Sequence, residues 1–114
     1  MNEEPTIYAF QTITGLLTIS CADILFFRFY NEKWQIMLVD RSTYLLRPHT
    51  TADLLLSIDN HLIRIRRDYL ININYLRFIE NQSLRCILRS PFNDIILLAS
   101  RRYYPHILKK LNLI

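Results

Sequence analysis

The chain has 114 residues, of which 51% are hydrophobic and 21% are charged, a composition typical of one globular domain rather than a disordered segment. It contains a single glycine, Gly15, so the glycine-rich loops that hold nucleotide phosphates are excluded. Residues 1–59 carry seven acidic and four basic side chains, whereas residues 60–114 carry three acidic and ten basic ones. This asymmetry indicates either an anionic partner or a solvated surface of ion pairs.

Short apolar runs with polar breaks every 8–12 residues or so predict an all-β domain. Strands are expected at residues 6–10, 16–20, 24–30, 34–39 and 43–47, with a polar turn at 31–33. A hydroxyl N-cap then predicts one short helix over residues 51–58, with Leu54, Leu55 and Ile58 on one face. Further strands are expected at residues 62–65, 69–73, 75–80, 84–88 and 95–99.

The end of the chain predicts a short C-terminal helix, because Ile107, Leu108 and Leu111 share a helical face. Pro105 favours a helix that begins at this proline, after a structured turn at residues 100–104. A start capped by Ser100 is the alternative, which Pro105 disfavours. The predicted fold class is therefore all-β, mainly antiparallel and elongated, with about ten short strands, two short helices and a single domain over residues 1–114.

The residues that most often carry chemistry are scattered. Cys21 and Cys86 lie outside any CxxC pair and are predicted to be reduced core residues. His49, His61 and His106 each stand alone, without metal-ligand spacing or a neighbouring nucleophile. The sequence therefore predicts no enzymatic activity, no catalytic residue, no metal site, no cofactor and no small-molecule substrate.

Membrane association is also not expected. No run approaches ~20 uninterrupted apolar residues, and the chain starts with the acidic residues Glu3 and Glu4, unlike the basic start of a signal peptide. A cytoplasmic location is the expectation that follows.

Two short basic segments remain. In residues 62–72, strand alternation places Arg64 and Arg66 on one face, and Arg67 lies near a turn. The second segment, residues 100–104, contains Arg101 and Arg102 where the last strand ends. Arginine pairs at strand ends suit phosphates and base edges, although solvated pairs with Asp68 or Glu80 as partners explain them almost as well.

Three collinear stretches resemble the LytTR DNA-binding domain family, over about residues 6–112. The stretches are Asp23-Ile24-Leu25-Phe26-Phe27, then Leu62-Ile63-Arg64-Ile65-Arg66-Arg67-Asp68-Tyr69-Leu70-Ile71-Asn72, and finally Ala99-Ser100-Arg101-Arg102-Tyr103-Tyr104. The resemblance implies about ten mainly antiparallel strands, and loop side chains that enter successive major grooves of DNA. Many members are output domains of two-component response regulators.

The resemblance also implies which residues contact DNA. The family's contact segments correspond here to Trp34 with Lys33 beside it, to Arg66 and Arg67, and to Arg102 with Arg101 nearby. For Trp34, burial as the first aromatic of a strand is an equal alternative to a base contact. Two positions depart from the family pattern: Arg66 replaces a common histidine, and Asp68 replaces a serine and is expected to orient Arg66 or Arg67. Asn72 is expected to stabilise a turn, and Lys109 and Lys110 to add non-specific attraction.

The resulting hypothesis is sequence-specific binding of double-stranded DNA by a transcriptional regulator or the output domain of a response regulator. A homodimer on direct repeats is the arrangement that the resemblance implies. The alternative is a protein-interaction module of the same fold, in which Trp34, Tyr103 and Tyr104 form an exposed aromatic patch.

Overall fold

The computed structural model describes residues 5–114, which form ten strands and two α-helices. Glu3 and Glu4, the acidic start of the chain, lie outside the described residues. The strands are β1 (Ile7–Gln11), β2 (Leu16–Ser20), β3 (Ile24–Tyr30), β4 (Lys33–Leu38), β5 (Thr43–Leu45), β6 (Leu62–Arg66), β7 (Tyr69–Asn72), β8 (Leu76–Ile79), β9 (Arg85–Leu88) and β10 (Ile96–Leu98). The helices are α1 (Ala52–Ser57) and α2 (Tyr104–Lys110), and short 3-10 turns cover Cys21–Asp23 and Ile73–Tyr75.

The strands form three antiparallel sheets, which confirms the predicted all-β class. A five-stranded sheet in the order β5-β4-β3-β7-β6 lies beside a β1-β2 hairpin and a three-stranded sheet in the order β10-β9-β8. The domain measures 43 × 40 × 25 Å.

The five-stranded sheet is buried on both faces at its centre, which explains the unbroken apolar run in β3. Leu25 and Phe26 pack in a core that includes Ile107 of α2 and residues of the three-stranded sheet. Ile24 and Phe27 pack in a second core with residues of α1 and of the β1-β2 hairpin. A strand covered on both sides has no solvent face, and its sequence therefore shows no alternation.

The β3-β4 turn and the β6-β7 turn lie at the same end of the five-stranded sheet. Strands β3 and β7 are antiparallel neighbours with Arg28 opposite Tyr69, so the end of β3 lies beside the start of β7. Asn31 and Glu32 form a two-residue turn between β3 and β4, with positive φ angles of 50° and 63°, as expected of a tight hairpin. The predicted turn at residues 31–33 is thus one residue shorter, because Lys33 already pairs with Tyr30 in the sheet.

Helix α1 begins after Thr51, whose side-chain oxygen accepts a hydrogen bond from the Leu54 backbone N–H at 3.2 Å. Its predicted buried face needs correction. Leu55 is buried, but Leu54 is 58% exposed, because the helix packs through Leu55 with Leu56 and Ile58 partly buried beside it.

Helix α2 begins at Tyr104, one residue before the predicted start, and carries Pro105 in its first turn. Neither helix of the described chain is long and apolar enough to cross a membrane.

Candidate nucleic-acid interface

One backbone hydrogen bond brings the two basic segments together. The N–H of Ser100, just before the second arginine pair, donates to the carbonyl of Ile65, just before the first pair, with an N···O distance of 2.8 Å. Residues far apart in the chain therefore leave the sheet side by side. We call Arg66, Arg67, Arg101 and Arg102 together the basic surface; all four are exposed.

The first arginine pair is presented by the hairpin turn between β6 and β7. The carbonyl of Asp68 accepts a hydrogen bond from the Phe29 N–H at 2.8 Å, which ties this turn to the end of β3. The Arg66 Nε lies 3.2 Å from Asp68 Oδ1, with the two side chains 46% and 40% exposed. An ion pair this exposed contributes little to stability, but it directs the Arg66 side chain along the turn.

The second arginine pair is presented by a turn that precedes α2. The Ser100 carbonyl accepts from the Tyr104 N–H at 3.0 Å, and the Ser100 hydroxyl accepts from the Tyr103 N–H at 3.3 Å. Arg101 donates to the Gln82 carbonyl at 3.1 Å. Arg102 lies with its guanidinium carbon 5.7 Å from the centre of the Tyr103 ring, a cation–π distance.

Arg64 connects the two turns, a role that the sequence did not indicate. Its side chain donates to the carbonyl of Arg66 at 3.3 Å and to the carbonyl of Arg67. Its guanidinium carbon also lies 5.2 Å from the centre of the Tyr103 ring. Side-chain alternation along β6 predicted that Arg64 and Arg66 share a face. The contact between Arg64 and Tyr103 is seen only in the folded structure.

Trp34 is a core residue, so the structure favours burial over a base contact, the two alternatives that the sequence left open for this side chain. Its side chain is only 4% exposed and packs against Phe29, with ring centres 5.2 Å apart. Strand β4 alternates, so Lys33 and Trp34 point to opposite faces. Lys33 is half-buried at the start of β4, at the end of the sheet that carries the Arg67 turn.

The aromatic patch of the protein-interaction alternative is likewise not formed. Trp34 is buried, Tyr104 packs against the core, and Tyr103 lies under the guanidinium groups of Arg64 and Arg102. An apolar partner surface needs open aromatic faces, which these three side chains do not present together.

A polar cleft of about 690 Å³ opens beside the first turn. Arg64, Arg66 and Arg67 line one side, residues 50–53 at the start of α1 line another, and Trp34 contributes to its lining. Lys110 of α2 lines a neighbouring concavity together with Arg64 and Tyr103. Basic groups from the β6-β7 turn and from α2 therefore lie around this region.

Several other arginines are used within the protein. Arg41 donates to both carboxylate oxygens of Asp94 at 2.6 and 2.8 Å, and this hydrogen bonding holds the pKa of Asp94 below its usual value. Arg89 donates to the Asn74 carbonyl at 3.0 Å. Within residues 5–114, by contrast, no carboxylate lies within ion-pair distance of Arg67, Arg101 or Arg102. These three cations remain available to an external anion.

Asn72 stabilises the backbone, as expected. It is fully buried, and its side-chain nitrogen donates to the carbonyls of Cys21 and Ile24, each at 3.0 Å. Its side-chain oxygen accepts from the Asn74 N–H at 3.1 Å. With all its polar atoms paired inside the protein, Asn72 has none left for a base.

Comparisons with known proteins bear on the family and the fold of this chain. A family model described as the LytTr DNA-binding domain matches residues 14–112. Among solved structures, the chain is similar to the LytTr DNA-binding domain of a protein described as a methyl-accepting/DNA response regulator from Bacillus cereus. The TM-score is 0.73 at 14% identity, over 96% of this chain and 100% of the other. No curated protein sequence matches the chain at a significant level.

Proposed function

Because the chain belongs to the LytTR family of DNA-binding domains, we propose that it binds double-stranded DNA sequence-specifically and regulates transcription as an output domain. The basic surface is the proposed contact. The hydrogen bond from Ser100 to Ile65 supports this proposal, because the two arginine pairs directly follow the residues that it joins. A duplex attracts such a cluster through its phosphates and selects among sites through its base edges.

We propose that side chains on the turns, rather than a helix, read the major groove. Helix α1 has six residues and α2 has seven, and the exposed arginine pairs lie outside both. Arg67 and Arg102 are the proposed base-reading residues, because within the described chain neither side chain makes an ion pair or a hydrogen bond, whereas Arg101 bonds to the Gln82 carbonyl. Arginine can donate two hydrogen bonds to a guanine edge.

The remaining basic groups are assigned to phosphates. Arg66 is directed by Asp68, and Arg101 is held by the Gln82 carbonyl, so both have defined positions beside the proposed base contacts. Lys33, Lys109 and Lys110 add attraction from neighbouring elements. Each phosphate contact contributes about 0.9 to the slope of log affinity against log salt.

The direct test is the variant Arg102→Ala, measured on a site selected from randomised duplexes. Affinity for the selected site is expected to fall about 5- to 150-fold, as for a lost bidentate base contact. Affinity for random duplex is expected to fall much less, because phosphate attraction is largely retained. Fluorescence anisotropy at several salt concentrations measures both. Replacing each guanine of the site with 7-deazaguanine identifies the base concerned, since this change removes one acceptor in the major groove.

Arg77→Ala is the matched control, because Arg77 is an exposed arginine in β8 of the three-stranded sheet. It removes the same charge and is expected to leave the ratio of selected to random binding unchanged. Equal ratios in wild type, Arg102→Ala and Arg77→Ala contradict the assignment of Arg102. Failure of the wild-type protein to bind any duplex contradicts the proposed function itself.

Arg64 is proposed to position both turns, and Arg64→Lys tests this without a change in charge. Lysine keeps the cation but loses the planar group that bonds to two carbonyls and packs on Tyr103. Affinity for the selected site is expected to fall about tenfold, equivalent to about 1.4 kcal/mol. Arg41→Lys is the control, since Arg41 also makes bidentate bonds and lies over an aromatic ring, that of Phe92. If the two variants bind DNA equally well, Arg64 has no positioning role.

Binding as a homodimer on direct repeats is part of the same proposal. A repeated site is expected to bind two copies of the chain, and a single half-site one copy. Analytical ultracentrifugation of the protein with duplexes carrying one or two half-sites measures this stoichiometry. One copy on the repeated site contradicts the dimer but leaves sequence-specific binding intact.

A further inference from the structure

A second cluster of chemically active side chains lies at the other end of β6 from the Arg67 turn. Cys21 follows β2, and Asp59 and His61 lie in the loop between α1 and β6. One sulfur, one oxygen and one nitrogen from these residues lie within 4.8 Å of one another. Sequence spacing predicted no metal site, because Cys21 is distant in the chain from Asp59 and His61. Only the packing of the folded chain brings Cys21 to their loop.

The Asp59 carboxylate is fixed by its neighbours on both oxygens. Oδ1 accepts from the His61 backbone N–H at 2.9 Å and lies 2.7 Å from the His61 Nδ1. Oδ2 accepts from the Tyr8 hydroxyl at 3.2 Å. Tyr8 also donates to the Ile58 carbonyl at 2.9 Å, so the carboxylate is held between β1 and the loop.

Cys21 is held in a similar way. Buried Asn72 donates to the Cys21 carbonyl at 3.0 Å, and its side-chain nitrogen lies 3.8 Å from the sulfur. Such supporting bonds orient metal ligands in known sites and raise their affinity. The His61 side chain is 52% exposed, which leaves a path from solvent to the cluster.

The concavity beside the cluster suits a cation. Among the described residues, its lining includes the Cys21 thiol, the Asp59 carboxylate and the His61 ring but no lysine or arginine.

We propose that Cys21, Asp59 and His61 bind one Zn²⁺ ion, with the fourth position open to water. Sulfur, nitrogen and oxygen ligands together suit zinc, which is commonly bound by three protein ligands and one water. Zinc bonds of about 2.0–2.3 Å place ligand atoms roughly 3.3–3.7 Å apart. The three ligand atoms lie within 4.8 Å of one another, so side-chain rotations that move these atoms by about 1 Å complete the site. The adjoining concavity of about 270 Å³ has room for the ion and its water.

The consequence is an additional link between two parts of the chain that Tyr8 already joins through its hydrogen bonds to Ile58 and Asp59. The ion joins the end of the β1-β2 hairpin to the loop that starts β6. Because a folded site is required to bind it, zinc is expected to raise the melting temperature in a concentration-dependent way.

Co²⁺ titration of the full chain, freshly reduced, is the test. One equivalent is expected to produce the near-ultraviolet charge-transfer band of a thiolate bound to cobalt, and Zn²⁺ is expected to abolish it by displacement. Cys21→Ser is expected to lose the band and the rise in melting temperature with Zn²⁺. Cys86→Ala, which removes the other, buried cysteine, is expected to retain both.

A second pair of variants keeps the test decisive if a cysteine variant folds poorly. His61→Gln and His106→Gln each remove an exposed histidine, and only the first is expected to weaken Co²⁺ binding, by at least about tenfold. A wild-type protein without the thiolate band at one equivalent overturns the proposal. So does a band that persists unchanged in Cys21→Ser, or equal weakening in the two histidine variants.

Discussion

Replacing Arg67 and Arg102 together with alanine is expected to lower affinity for the selected DNA site by at least about 25-fold. The physical reason is that each guanidinium is proposed to make a base contact worth about 1–3 kcal/mol, and the two residues lie on different turns. The free energy of unfolding is expected to change by less than about 1 kcal/mol, because both side chains are exposed and without carboxylate partners in the described chain. Anisotropy titrations and urea denaturation measure the two quantities.

The control for this double variant removes two arginines elsewhere. Arg77→Ala with Arg85→Ala takes the same charge from the three-stranded sheet, where Arg85 lies 4.0 Å from Glu80 in an exposed pair. If affinity depends only on net charge, both double variants weaken binding equally, and the specific role of the basic surface is wrong. A loss confined to Arg67→Ala with Arg102→Ala supports that role.

Asn72→Ala is expected to produce the largest loss of stability among single polar substitutions, about 2–4 kcal/mol. The side chain is fully buried and makes hydrogen bonds to the Cys21 and Ile24 carbonyls and to the Asn74 N–H. Alanine leaves these backbone groups without partners, each at a cost of about 1–3 kcal/mol that local relaxation partly offsets. Urea denaturation followed by tryptophan fluorescence measures the change, since the single Trp34 is buried.

Asn74→Ala provides a control of the same residue type, two positions away and exposed. It is expected to change stability by less than about 0.5 kcal/mol, because the hydrogen bonds of Asn74 described above use its backbone. Similar losses of stability in the two variants contradict the prediction, because they mean that the Asn72 side-chain hydrogen bonds do not account for the loss in Asn72→Ala.

The local pattern of the sequence predicted most elements of this fold. Apolar runs between polar breaks predicted the ten strands and the turn at Arg67, and a hydroxyl residue predicted the N-cap of α1. These signals are readable because side-chain alternation and turn chemistry act over a few residues. The collinear motifs also indicated the family, which the match over residues 14–112 shows. Boundaries differed by a residue or two where pairing with a neighbour extended or ended a strand, as at Lys33.

Burial of particular side chains was less predictable. Leu54 and Trp34 have the same apolar character in the sequence, yet Leu54 is 58% exposed and Trp34 is 4% exposed. Which side of a short helix or strand is covered depends on what packs against it. That neighbour comes from a distant part of the chain.

The sequence by itself determined the strands, the turns, the exposed arginine pairs and the excess of positive charge in residues 60–114. The tertiary structure alone decided that Ser100 bonds to Ile65, that Arg64 connects the two turns through Tyr103, and that Cys21 meets Asp59 and His61. The physical reason is the distance along the chain over which each property acts. Hydrogen-bonding and apolar periodicity are set by residues a few positions apart. The order of strands in a sheet and the packing of sheets depend on the free energy of the whole core.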